Sequence, residues 1–232
     1  MVIVYGFHPV REALRQRPDE VLRVLIGADR RGKRVEEISS LCRTRGIQCV
    51  RVPEKQLGEI SDGVHNGFVV ETEAAPKPES SGDENLIVLV EDVQDPRNLG
   101  ALLRVCEGAG VSRVLVRDRG SSPITAAVTK TAAGATEWLP IERVTNSSNS
   151  MQEYQKRGFW AYGADMSGRP PWELDLSGKL MLCFGGEQKG LRRRTRESCD
   201  NLIGLPMRGH VDSLNVATAV AAILFEAVRQ RS

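Results

Sequence analysis

Residues 86–104 read Leu86-Ile87-Val88-Leu89-Val90-Glu91-Asp92-Val93-Gln94-Asp95-Pro96-Arg97-Asn98-Leu99-Gly100-Ala101-Leu102-Leu103-Arg104. The apolar run that opens the stretch reads as a strand buried on both faces. Asp95-Pro96 stops it, and Asn98 stands where an N-cap belongs for the helix that follows. Leu99, Leu102, Leu103 and Cys106 then fall at i, i+3, i+4 and i+7 and make a buried stripe. Gly100, Arg104 and Gly108 lie four apart on another face. Glycines one turn either side of Arg104 leave its guanidinium room against a bulky anionic partner. A capped helix with a solvated arginine explains the same spacing.

This strand, loop and helix unit repeats outward. Further strands are expected at 113–116, 159–164, 179–184 and 202–205, and further helices at 125–133, 151–156, 193–198 and 215–230. Apolar strands alternating with helices predict an α/β domain with a mostly parallel sheet. Ligands of such sheets bind beyond the carboxyl ends of the strands. Two more unusual loops lie at such ends. Phe184-Gly185-Gly186-Glu187-Gln188-Lys189-Gly190-Leu191 has the outer glycines of a phosphate loop, but Leu191-Arg192 replace the required Lys-Ser/Thr. Its glycines instead let backbone approach a flat, uncharged group, with Glu187 turned toward chemistry; a plain glycine turn is the bland alternative. Lys189, Arg192, Arg193, Arg194 and Arg196 follow, either as phosphate contacts or as a surface helix paired with Glu197 and Glu187. In the third loop, Leu205-Pro206-Met207-Arg208-Gly209-His210-Val211-Asp212-Ser213-Leu214-Asn215, Ser213 and Asn215 both stand where the last helix needs a cap. That helix is small and apolar along 216–222, which suits close packing in the core or on a partner subunit.

The first part of the chain is organised differently. Residues 9–16 and 35–45 are helical in pattern, and 21–26, 48–52 and 68–73 are strand-like, which makes a small α/β/α layer domain over 1–75. Residues 76–84, with two prolines and a Ser-Ser-Gly, read as a linker to a domain over 85–232. A formal net charge of +2 does not announce nucleic acid, so only local clusters can. Five cysteines without a C-x-x-C, and three histidines without ligand spacing, argue against structural metal and a disulfide framework. No signal peptide is visible, and the apolar run at 216–225 is short of the ~20 residues of a membrane span. The expectation is a cytoplasmic protein without membrane contact or metal.

Taken together, the three loops resemble the SpoU (TrmH-type) branch of the SPOUT RNA 2′-O-ribose methyltransferases. Asp95-Pro96-Arg97-Asn98-Leu99-Gly100-Ala101 with Arg104 is similar to that family's first motif, the loop from Phe184 to Leu191 to its second, and the loop from Leu205 to Ala217 to its third. Val4-Tyr5-Gly6-Phe7-His8-Pro9-Val10 and His65-Asn66-Gly67 resemble the ribosomal-protein-L30e-like RNA-binding domain of some members. Among them, the arrangement is most similar to the large-subunit (23S) rRNA guanosine methyltransferases. The resemblance implies a deep C-terminal trefoil knot, a homodimer, S-adenosylmethionine as cofactor and RNA as substrate. It implies Gly185, Leu205 and Leu214 as cofactor contacts, and Asn98, Arg104, Glu187, Ser213 and Asn215 as the catalytic and substrate group. Asp212 departs from the pattern, standing where a small residue is common. A guanidinium keeps its proton, so Arg104 is expected to clamp a phosphate while Glu187, or the phosphate itself, takes the hydroxyl proton. The alternatives are a tRNA methyltransferase of the same family and a non-enzymatic RNA-binding adaptor. A nucleotide transferase would lack its phosphate loop and metal ligands.

Overall fold

The computed structural model of the protein describes residues 1–61, 63–79, 82–187 and 189–232. Ser80 and Ser81 of the expected linker, and Gln188 of the glycine loop, lie outside the described residues. The chain divides into two compact units, one of Met1–Pro78 with Ile124–Trp138, the other of Glu79–Pro123 with Leu139–Ser232.

The first unit runs β1 (Val2–Tyr5), α1 (Phe7–Gln16), β2 (Val21–Gly27), α2 (Lys33–Arg45), β3 (Cys49–Val52), α3 (Glu54–Ile60) and β4 (Phe68–Thr72). Its sheet has the order β1-β4-β2-β3, in which β4 is antiparallel to both neighbours and β2 is parallel to β3. The period of two along each strand sorts the side chains into two cores. Val4, Val24, Ile26, Phe68 and Val70 pack with α1 and α2 on one face. Tyr5, Leu25 and Val69 pack on the other with Leu57 of α3 and Ala126. The segment 124–138 thus helps cover the second face, which is why it belongs to this unit although it lies far along the chain. Its Glu137, fully buried, is held by Arg17 Nε at 2.7 Å.

In the second unit the chain forms β5 (Leu86–Val90), α4 (Pro96–Gly108) and β6 (Arg113–Arg117). After α5 (Ala126–Thr131) of the first unit come β7 (Ile141–Val144), α6 (Ser147–Lys156), β8 (Trp160–Arg169), β9 (Leu180–Phe184), α7 (Arg193–Ser198), β10 (Asn201–Ile203) and α8 (Val216–Arg231). The six strands are all parallel, in the order β10-β8-β9-β5-β6-β7. Every residue of β5 and β9 is buried, as their unbroken apolar sequences require of central strands. The predicted stripe of α4 is fully buried, and α4 packs on α8. Sequence patterns did not announce β1, α3 or β7.

One expectation needs correction. Asn98 does not cap α4: Asp95 does, its carboxylate accepting from the Arg97 N–H at 2.7 Å, with Pro96 at the first helical position. No helix among the described residues is long and apolar enough to cross a membrane.

Candidate active site

Three elements of the second unit meet at one place. Because Asp95 satisfies the start of α4, the Asn98 side chain is free to leave the helix's first turn. It donates to Glu187 Oε1. Asn215 splits its amide between two tasks. Its Oδ1 caps α8 by accepting from Ala217 N–H at 2.9 Å, and its Nδ2 donates to Asn98 Oδ1 at 3.0 Å and Glu187 Oε1 at 3.4 Å. The cap and the functional group, which the sequence offered as alternatives, are therefore the same residue. The orientation of both amides follows from chemistry: an ionised carboxylate only accepts, so each must turn its NH2 toward Glu187. Both donors fall on Oε1, and Oε2 accepts nothing from the described residues.

Glu187 stands on a loop pinched at its neck. Gly190 N–H donates to Gly186 C=O at 2.9 Å, and a Cβ on Gly185 would overlap the Gly190 backbone. Only glycine fits there. Beside this loop opens a cavity of about 470 Å³, bounded by the middle of β8, the ends of β9 and β10, and the first half of α8. Gly185, Leu205, Leu214, Glu187 and Ser213 all line it. Ser213 Oγ donates to Asp212 at 3.3 Å and does not join the Asn98–Glu187–Asn215 group. Arg104 is exposed on α4, about 9 Å along the helix axis from Asn98, and makes no hydrogen bond or ion pair with a described residue.

Sequence reasoning missed Asp165 and Met166, which also line the cavity. The signal was available, since Asp165 follows directly on the apolar residues of a strand. The Arg196 guanidinium, which donates to Asp165 at 2.8 Å, together with Ser167, holds the Asp165 carboxyl well below the usual carboxylate range. Asp165, Glu187 and Asp212 face the cavity against Lys189 alone among its basic lining residues. That wall favours a ligand carrying positive charge.

The basic stretch after the loop is largely committed inward or to its own helix. Arg192 pairs with Asp92, Arg193 with Glu197 and Arg196 with Asp165. The Glu197 pairing is the surface-helix alternative; Glu187 is no partner of this stretch among the described residues. The Lys189 and Arg194 side chains have no ion pair among the described residues.

Fold and site define a class: a parallel α/β enzyme with a ligand cavity at its strand ends and an Asn–Glu–Asn group on the rim. Residues 85–225 match the SpoU rRNA Methylase family, and residues 3–78 match the RNA 2′-O ribose methyltransferase substrate-binding domain. The chain belongs to the SpoU rRNA methylase family. It is 38% identical over 239 residues to the 23S rRNA (guanosine-2′-O-)-methyltransferase RlmB of Xanthomonas axonopodis pv. citri, covering 98% of this chain and 96% of that protein. The RlmB of Pseudomonas aeruginosa is also 38% identical, over 243 residues, covering 99% and 96%. The SpoU methyltransferase AviRb of Streptomyces viridochromogenes, solved in complex with AdoMet, matches with a TM-score of 0.81 at 26% identity, over 99% of this chain and 89% of that one.

Proposed function

We propose that this protein methylates the ribose 2′-hydroxyl of a guanosine in 23S rRNA, with S-adenosylmethionine as methyl donor. Likeness to the RlmB enzymes over nearly the whole of both chains supports the substrate. The observation that carries the chemistry is the Asn98–Glu187–Asn215 group, because it sets an ionisable carboxylate on the rim of the cavity.

The cavity suits this cofactor. Its volume falls in the range of small-ligand sites. Apolar Leu205, Leu214 and Ile223 offer a face for adenine, and the acidic lining suits a sulfonium cation. Gly185, Leu205 and Leu214 would hold it. Bound there, S-adenosylmethionine supplies an electrophilic methyl group. The residues of the chain have separate tasks. Glu187 takes the hydroxyl proton on Oε2, while Asn98 and Asn215 fix the carboxylate through Oε1. Ser213 borders the same space and can donate to the bound nucleotide. Arg104, exposed and without an ion pair among the described residues, clamps a substrate phosphate and steadies the developing alkoxide.

The loops around Gly185 and Leu205 form the trefoil knot. One feature supports this: both loops line the same cavity. The protein works as a homodimer across α8 and α4; Phe225, 51% exposed on α8 beyond its small-residue first half, supports that face. Residues 1–75, joined through 76–84 to the part of the chain that carries the catalytic group, supply affinity for RNA. Arg31, Lys33 and Arg34 are exposed in that part, whereas Arg23 and Arg30 are paired with Glu71 and Glu54. An rRNA substrate places the work in the cytoplasm. Deleting the gene and mapping 2′-O-methyl groups by mass spectrometry tests the proposal: one 23S guanosine should lose its methyl group. Loss from a tRNA instead, or from no RNA, would refute it.

A further inference from the structure

We infer that Asp92 is a positioning residue for Glu187, acting through Arg192; this rests on the methyl-transfer reading above. Asp92 follows β5, outside the three motifs. Its backbone takes a φ of 53°, a region that residues other than glycine rarely adopt. Such a conformation persists where the surroundings over-determine it, and here they do.

Arg192 grips the Asp92 carboxylate as a fork, with Nε on Oδ2 at 2.8 Å and Nη2 on Oδ1 at 3.0 Å. Arg117 Nη1 adds a third donor to Oδ1 at 3.3 Å. The preceding residue, Glu91, is buried and reinforces the same junction. Its N–H donates to Phe184 C=O at 2.9 Å, and its carboxylate accepts from Arg192 N–H at 3.1 Å and Thr195 Oγ1 at 2.9 Å. The turn at 91–92 therefore holds both ends of the Glu187 loop: Phe184 on entry and Arg192 on exit. It also touches the loop directly, since a Cβ on Gly186 would overlap the Asp92 carbonyl. Glu187 is the next residue.

The loop is thus fixed on two sides, by Asn98 and Asn215 at Glu187 and by Asp92 at its neck. The Arg192 side chain is 51% exposed, and pairs so open to solvent contribute little to stability. Its effect lies in where Glu187 stands. This also explains why the first arginine after the loop is not free for RNA phosphate.

The test uses the full-length protein. Asp92→Gly removes the carboxylate and suits the positive φ, Arg192→Met removes the fork, and Arg192→Lys keeps only the charge. Glu197→Gln, which breaks an exposed pair on the same helix, serves as control. Asp92→Gly and Arg192→Met should each lower kcat about 10–100-fold, the scale of a small misplacement of a reacting group, with little change in KM for RNA or in melting temperature. The double variant should be no slower than either single one, Arg192→Lys should fall between, and the control should match the parent. Amide exchange in the segment carrying Gly186 and Glu187 should quicken in both single variants. An unchanged rate, losses that multiply, losses matched by unfolding, or unchanged exchange would each overturn the inference. Should the parent transfer no methyl group, the functional reading fails, and the exchange contrast alone decides the role of Asp92.

Discussion

Replacing Asn215 separates the two tasks that its one amide performs. Asn215→Asp keeps the oxygen that caps α8 and places a negative charge at the helix N-terminus, a gain of about 0.3–1 kcal/mol. The same change turns donors into acceptors and sets a carboxylate where Nδ2 stood, 3.4 Å from Glu187 Oε1. Two like charges at that separation repel by roughly 1 kcal/mol in water and roughly 5 kcal/mol at an effective dielectric of about 20. The repulsion exceeds the capping gain, and it is relieved when the exposed Glu187 side chain turns away. Folding stability should therefore stay within about 1 kcal/mol of the parent, while the single-turnover rate falls about 10²–10³-fold, as for loss of a positioned base. Asn215→Ser keeps a capping hydroxyl and adds no charge, so it should lose less, about tenfold. Denaturant melts beside single-turnover methyl transfer measure both quantities. A normal rate in Asn215→Asp, or a rate loss fully explained by unfolding, would refute the reasoning.

Three other outcomes are expected. Arg104→Ala should slow transfer about 10²–10³-fold, and Arg104→Lys should retain measurable activity with weaker RNA binding; S-adenosylmethionine affinity, read by calorimetry, should be intact in both. Glu137→Ala should destabilise the first unit by about 1–3 kcal/mol in denaturant melts, because it removes two charge-assisted hydrogen bonds from the Arg17 guanidinium, which keeps Glu20 and the Ala74 carbonyl as partners; a loss below about 0.5 kcal/mol would contradict this. The hydrogen bond from Cys42 lowers the exposed Cys49 thiol to about 7. Cys49 should therefore alkylate fastest of the five cysteines and half-maximally near that pH, and Cys42→Ala should move the midpoint up toward the ordinary value of about 8.5.

Much of the second unit was legible because β5 and β9 are short, unbroken apolar runs and β6 is apolar between its terminal arginines. The stripe of α4 appears in the sequence as it does in the fold. Asn98 was misread as a cap although Asp95-Pro96 is itself the better signal, an acceptor followed by proline at the first helical position. β7 is a short edge strand, Ile-Glu-Arg-Val, with too little alternation to stand out. That 124–138 packs with the first unit was beyond a sequence reading, since small residues such as Ala126 carry no sign of their distant partners. The pairing of Arg192 with Asp92, 100 residues away, was equally hidden. Ionic partners are set by tertiary geometry, and a run of arginines looks the same whether it faces RNA or its own protein.

The central claim is ribose methylation of a 23S guanosine from S-adenosylmethionine by the Glu187 site. The direct measurement incubates the purified protein with isotopically labelled S-adenosylmethionine and unmodified 23S rRNA, digests the RNA to nucleosides and reads the labelled product by mass spectrometry. The account predicts labelled 2′-O-methylguanosine from the parent protein and none above background from Glu187→Gln. A base-methylated nucleoside, label in a different ribose, or equal yield from Glu187→Gln would contradict it.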